Sequence, residues 1–150
     1  MTSALLSILH TLAAAAWFGS MFYSLTVLHP RAKRYFKNDR EFEDFIATLA
    51  QGARYKVLSA IGFIALTGVL LIPFRPHPRF WWALILAKIL LLLGATFLFS
   101  YASWVLWPRR IFASDDEIPL YQRRFRQVGL ALLLIVFIAI ALGVLAHCLV

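Results

Sequence analysis

A single cysteine, Cys148, excludes any intrachain disulfide and any CxxC metal or redox motif. Methionine is almost as scarce: Met1 and Met21 cannot build the thioether-rich relay expected of a Cu(I) carrier. Acidic side chains are confined to residues 39–44 and 115–117, so paired-carboxylate chemistry is excluded from the apolar remainder. The chain also holds no phosphate-binding glycine loop and no Ser-His-Asp set, which argues against hydrolysis and phosphoryl transfer.

What is abundant is hydrocarbon. Hydrophobic residues make up 62% of the chain, and the mean hydropathy of +0.79 does not suit a soluble domain of 150 residues. The excess lies in four runs, Ala4–Leu28, Val57–Phe74, Phe80–Trp107 and Val128–Val150. Each approaches or exceeds the ~20 residues with which an α-helix crosses a bilayer core. The first run has no basic leader and no small-residue cleavage site, so it reads as a retained membrane helix. Short connections place successive helices side by side. The expected fold is all-α, a single domain over residues 1–150 forming an integral membrane four-helix up-down bundle.

The net charge of +8 would suit a nucleic-acid partner, but its distribution suits a membrane instead. Arg31, Lys33, Arg34, Lys37, Arg40, Arg54 and Lys56 lie between spans one and two. Arg109, Arg110, Arg123, Arg124 and Arg126 lie between spans three and four, and neither tail has a Lys or Arg. By the positive-inside rule the basic segments are cytoplasmic and both termini are not. The acids sit in the same segments, so these charges read as topology signals and lipid headgroup contacts, with no nucleic-acid role.

His29-Pro30 is expected to end span one, and Pro108 to end span three. Between spans one and two, Asn38 and Glu41 resemble a capping box. Phe42, Phe45, Ile46 and Leu49 follow at helical spacing, predicting an amphipathic helix on the inner membrane surface. Phe80, Trp81, Trp82, Trp104 and Trp107 read as interfacial anchors. His29 and His77 read as exposed groups at membrane edges or loops. No internal repeat is expected from the pattern.

Three polar groups remain within the spans: His10, Lys88 and His147. Such residues ordinarily face the bundle interior and mark a site. His10 lies about 9 Å and Lys88 about 12 Å into their helices, at the usual rise per residue, and His147 is near the end of span four. All three can therefore share one layer in the outer half of the membrane. In span one, Ser3, Ser7, His10, Ala14, Trp17, Met21 and Ser24 form one stripe of mostly small and polar residues. Lys88 shares its side of span three with Trp81 and Ala95, and His147 borders a face formed by Gly129, Val136 and Gly143.

A neutral imidazole inside an apolar bundle suits an axial ligand of haem iron, with Arg75 or Arg79 available for the propionates. Imidazole with thiolate could instead bind copper. On this reading His10 and His147 are candidate metal ligands, and Lys88, Trp17, Arg75 and Arg79 complete the candidate cofactor site. The alternative for His10 is a hydrogen bond to a neighbouring helix.

His10, then Trp17 seven residues on, then Gly19-Ser20 and Phe22, with Pro30 closing the helix, resembles the first helix of CopD-type copper-resistance membrane proteins. The same stretch is similar to HemJ-type protoporphyrinogen oxidases, in Trp17-Phe18, Ser20 at a glycine position, and Phe22-Tyr23. The likeness continues through Thr67-Gly68, the Lys88 of AKILLLL and the YQRRFRQ run before span four. It implies a four-helix bundle of the bacterial inner membrane with His10 and Lys88 near a haem or porphyrin. Two departures favour the CopD-like branch. Phe99-Ser100-Tyr101 stands where HemJ-type proteins carry a Tyr-His pair, and Arg126-Gln127-Val128-Gly129 where they carry Asn-Glu-Val-Pro. The second substitution removes a carboxylate that would handle protons. The expected function is binding of a b-type haem or related metal cofactor for electron transfer or metal handling. The alternatives are a haem-dependent oxidase of protoporphyrinogen, a copper transport or resistance protein, and an accessory subunit of a larger membrane redox complex or homo-oligomer.

Overall fold

The computed structural model describes residues 2–74 and 79–148, without the side chains of residues 79, 147 and 148. Every described element is helical. Helix α1 covers Thr2–Tyr35, α2 Asp39–Leu49 and α3 Ala53–Leu71. Helix α4 opens at Arg79–Tyr101 and continues to Ile111, and α5 covers Ile118–Cys148. Four of these, all but α2, are long and apolar enough to cross a membrane.

The two prolines do not end their helices. In α1 the turn Ser24–Leu28 widens into a π-helix, and regular helix resumes with Pro30 in its first turn. In α4 the turn Ala102–Leu106 does the same before Pro108. A proline inside a regular helix lacks a donor and clashes with the carbonyl four residues back; one extra residue in the turn relieves both. Donors then reach the altered carbonyls. The His29 ring Nδ1 donates to the Ser24 carbonyl at 3.0 Å. Arg54 donates to the carbonyl of Ser103 at 2.5 Å, whose π-helical partner would be the N–H that Pro108 lacks.

These matched bulges expose an internal repeat that the apolar pattern conceals. Val27-Leu28-His29-Pro30-Arg31 recurs 78 residues later as Val105-Leu106-Trp107-Pro108-Arg109. Gly68-Val69-Leu70 in α3 likewise recurs as Gly143-Val144-Leu145 in α5. The halves α1–α3 and α4–α5 are therefore two versions of one antiparallel pair. Helix α1 packs chiefly on α3, α4 on α5, and α1 joins the halves by packing on α5. The antiparallel sense follows from neighbours that run in opposite order: Phe18 meets Phe137 while Leu25 meets Gly129, Lys88 meets Gly143 while Trp107 meets Phe125, and His10 early in α1 meets Thr67 late in α3.

The core between the four long helices is formed by Trp17, Ile61, Ile64, Ala95, Leu132 and Val136. Trp17 and Ala95 occupy the same position in the two halves, large in one and small in the other, and both are buried in this core. Leu5, Leu12, Leu66, Leu90, Leu93 and Phe97 face outward, each more than half exposed, an apolar surface compatible with a bilayer around the helices.

Helix α2 is capped by Asn38, whose side chain accepts from the Arg40 N–H at 2.8 Å. Its Phe42 and Ile46 pack on Ala32, with Phe36, Phe45 and Trp107 around them, while Leu49 turns outward. Gly52, at φ 74°, takes the left-handed turn that leads into α3.

The deepest charges lie beside this cluster. Arg110 (2% exposed) donates to Glu43 (7% exposed) through Nε at 2.6 Å and a terminal nitrogen at 2.9 Å. Gln122 of α5 donates to the same carboxylate at 2.8 Å and accepts from Lys33 of α1. The guanidinium also lies over the rings of Phe125 and Trp107, at 5.1 and 5.9 Å. Arg110 and Glu43 are thus not headgroup-facing charges, contrary to the expectation for their segments. The two parallel bonds offset the cost of desolvating both charges, so losing one partner strands a buried charge. Arg110→Met is expected to cost about 3–5 kcal/mol, and adding Glu43→Leu to recover most of it. Thermal unfolding of the two variants in detergent checks both.

Candidate functional site

The inward stripe expected along α1 is present. Ser3, Ser7, His10, Ala14, Met21 and Ser24 are all part-buried and Trp17 is buried, whereas Leu5, Ile8, Leu9 and Leu12 face outward. On α4, Trp81 (4% exposed) and Ala95 (1%) flank Lys88 by seven residues on either side. Their burial turns the Lys88 face inward, and it makes Trp81 a packed residue where an interfacial anchor was expected. Trp82 beside it is exposed.

His10 and Lys88 stand 78 residues apart, the offset of the repeat, so they are the same position of the two halves. Each lies over a glycine of the following helix. A Cβ added to Gly68 would sit 3.3 Å from His10 Cε1, and one added to Gly143 would sit 3.6 Å from Lys88 Nζ. Those glycines are themselves equivalent, which explains why the repeat keeps them: a side chain at either would take the room of the polar group opposite. The imidazole Nδ1 is 2.9 Å from Thr67 Oγ1, and Thr67 is almost wholly buried.

Trp17 forms the floor of this layer, two turns below His10 on the same stripe. Its indole N–H is buried and makes no hydrogen bond to a described residue. An orphaned buried donor calls for an acceptor. The side chains of Arg79 and His147 lie outside the described residues, as do Arg75 and His77 entirely. His29 is not an exposed edge residue. Its ring packs edge-on against Phe42 with a buried Nε2, because the π-helical turn supplies the carbonyl that its Nδ1 needs.

Thr67 enters the sequence reading only within the family likeness, with no site role of its own. Hydroxyls bonded to their own helix are unremarkable in apolar segments, and only the packing of α1 on α3 brings this one under an imidazole. Among the described residues, no three His, Cys, Asp or Glu side chains gather to hold a metal ion. No family model, curated protein or solved structure matches the chain.

Gly68→Val is expected to push the His10 ring off Thr67 and to destabilise the bundle by about 1–3 kcal/mol through overpacking. Gly19→Val, where an added Cβ meets nothing within 4 Å, should change neither. Thermal unfolding with histidine ¹⁵N spectra of both variants distinguishes them.

Proposed function

We propose that this chain is a multi-pass protein of the bacterial plasma membrane that holds a b-type haem between His10 and Lys88 for electron transfer. The carrying observation is the repeat: an imidazole and an amine at one position of two equivalent helix pairs, each over a glycine. A porphyrin supplies the equatorial nitrogens itself and asks the protein for only one or two axial donors. His10 and Lys88 suit that demand in number and chemistry, and the Trp17 indole offers a donor to a bound group. The resemblance of His10, Trp17-Phe18, Thr67-Gly68 and Lys88 to CopD- and HemJ-type proteins supports the same reading.

Neutral His10 would be the principal residue to hold the iron, and Lys88 either a second donor or a charge partner. Trp17 and Ala95 lie in the buried core on the side of the basic segments. Haem bound there would supply one-electron chemistry. The basic segments would face the cytoplasm, leaving His10 and Lys88 in the outer half of the membrane.

A pyridine haemochrome assay with a reduced-minus-oxidised spectrum tests the reading. Protein expressed with haem precursor should carry about one haem per chain, as one axial site per bundle requires, and His10→Ala should lose it. A colourless wild-type protein, or full haem content in His10→Ala, would overturn the assignment.

A further inference from the structure

Thr67 Oγ1 has three polar neighbours: the Phe63 carbonyl at 2.8 Å, the Ile64 carbonyl at 3.2 Å and His10 Nδ1 at 2.9 Å. A hydroxyl carries one hydrogen. Carbonyl oxygens can only accept, and two oxygens facing each other at 2.8 Å without a hydrogen between them repel. The Thr67 hydrogen is therefore directed at its own helix backbone, the usual back-bonding of a helical threonine. Toward His10 the hydroxyl then offers only a lone pair, and the Ile64 carbonyl beside the same ring can likewise only accept, so Nδ1 must bring the hydrogen. A neutral imidazole has a single N–H, and Nε2 is left bare.

We propose that Thr67 is a positioning residue that locks His10 in the Nδ1–H tautomer, making Nε2 its one ligating atom. This deepens the haem reading and rests on it for the word ligating; the tautomer itself stands on the hydrogen-bond geometry. The repeat points the same way. Gly143 matches Gly68, so the position of Thr67 falls on Leu142 in α5. The half that carries a lysine, whose amine has no tautomer to choose, has no hydroxyl there. The half that carries an imidazole has one. A partner on the distal nitrogen of a ligating histidine both orients the ring and raises its basicity.

The test uses the full chain labelled with ¹⁵N-histidine, in detergent or lipid, with the His10 signals assigned by comparison with His10→Gln. Carbon-bound protons of the ring tell which nitrogen carries hydrogen. The wild type should show a protonated Nδ1 and a bare Nε2, Thr67→Ser should keep that pattern, and Thr67→Val should lose it. A protonated Nε2 in the wild type, which needs no variant to fold, would overturn the proposal, as would an unchanged tautomer in Thr67→Val. Haem titration into the same samples is the second readout. Thr67→Val should weaken binding about 10–100-fold, the usual cost of removing such a partner, with Thr67→Ser close to the wild type. Equal affinity in Thr67→Val despite a changed tautomer would overturn the positioning role. A wild type with the expected tautomer that takes up no haem would sink the haem reading and leave the tautomer lock standing.

Discussion

Arg110 is a guanidinium with no route to water, and the basic end of the molecule is organised around that fact. Its charge is met by Glu43 through two parallel bonds, its faces by Trp107 and Phe125, and Glu43 in turn by Gln122. These contacts join α2, α4 and α5, and Lys33 adds α1 through Gln122. For Arg110 to reach Glu43, α4 must run past Pro108 as helix, and for Ala32 to floor α2, α1 must run past Pro30. The two π-helical turns make both extensions possible. Bulge, proline and buried pair are one device, in which the short amphipathic helix is clamped beneath the bundle.

The same repeat that places the two bulges places the two polar groups at the other end. Equivalence alone would give identical sites facing each other; the differences are what create chemistry. Imidazole stands against amine at 10 and 88, indole against methyl at 17 and 95, hydroxyl against isobutyl at 67 and 142. At the other end the same logic sets Ala32 opposite Arg110: one small enough to be covered by Phe42 and Ile46, the other long enough to reach Glu43.

Much of the upper layer was legible from residue spacing. The stripe through Ser3, His10 and Trp17 repeats every seven residues, and lipid leaves little choice about which face of such a helix turns inward. The Lys88 face was the least distinct, because every neighbour on α4 is apolar; the burial of Trp81 and Ala95 resolves it. Thr67 was not legible, since a threonine that bonds its own backbone looks alike wherever it points. Glu43 and Arg110 were misread for a related reason. In a segment rich in both signs of charge, nothing local separates a solvated residue from a buried one, and 67 residues divide the partners.

The sequence by itself determined that four helices are long and apolar enough to span a membrane, and that His10 lies on the inward face of the first. Those properties depend on composition and on the period of one helix, which are local. Tertiary structure decided which polar groups meet. It paired Glu43 with Arg110 and His10 with Thr67, set Lys88 over Gly143, and carried two helices through their prolines. Each of these rests on the rotation and register of one helix against another, and an apolar surface of nearly uniform hydropathy does not encode that register in any short stretch of residues.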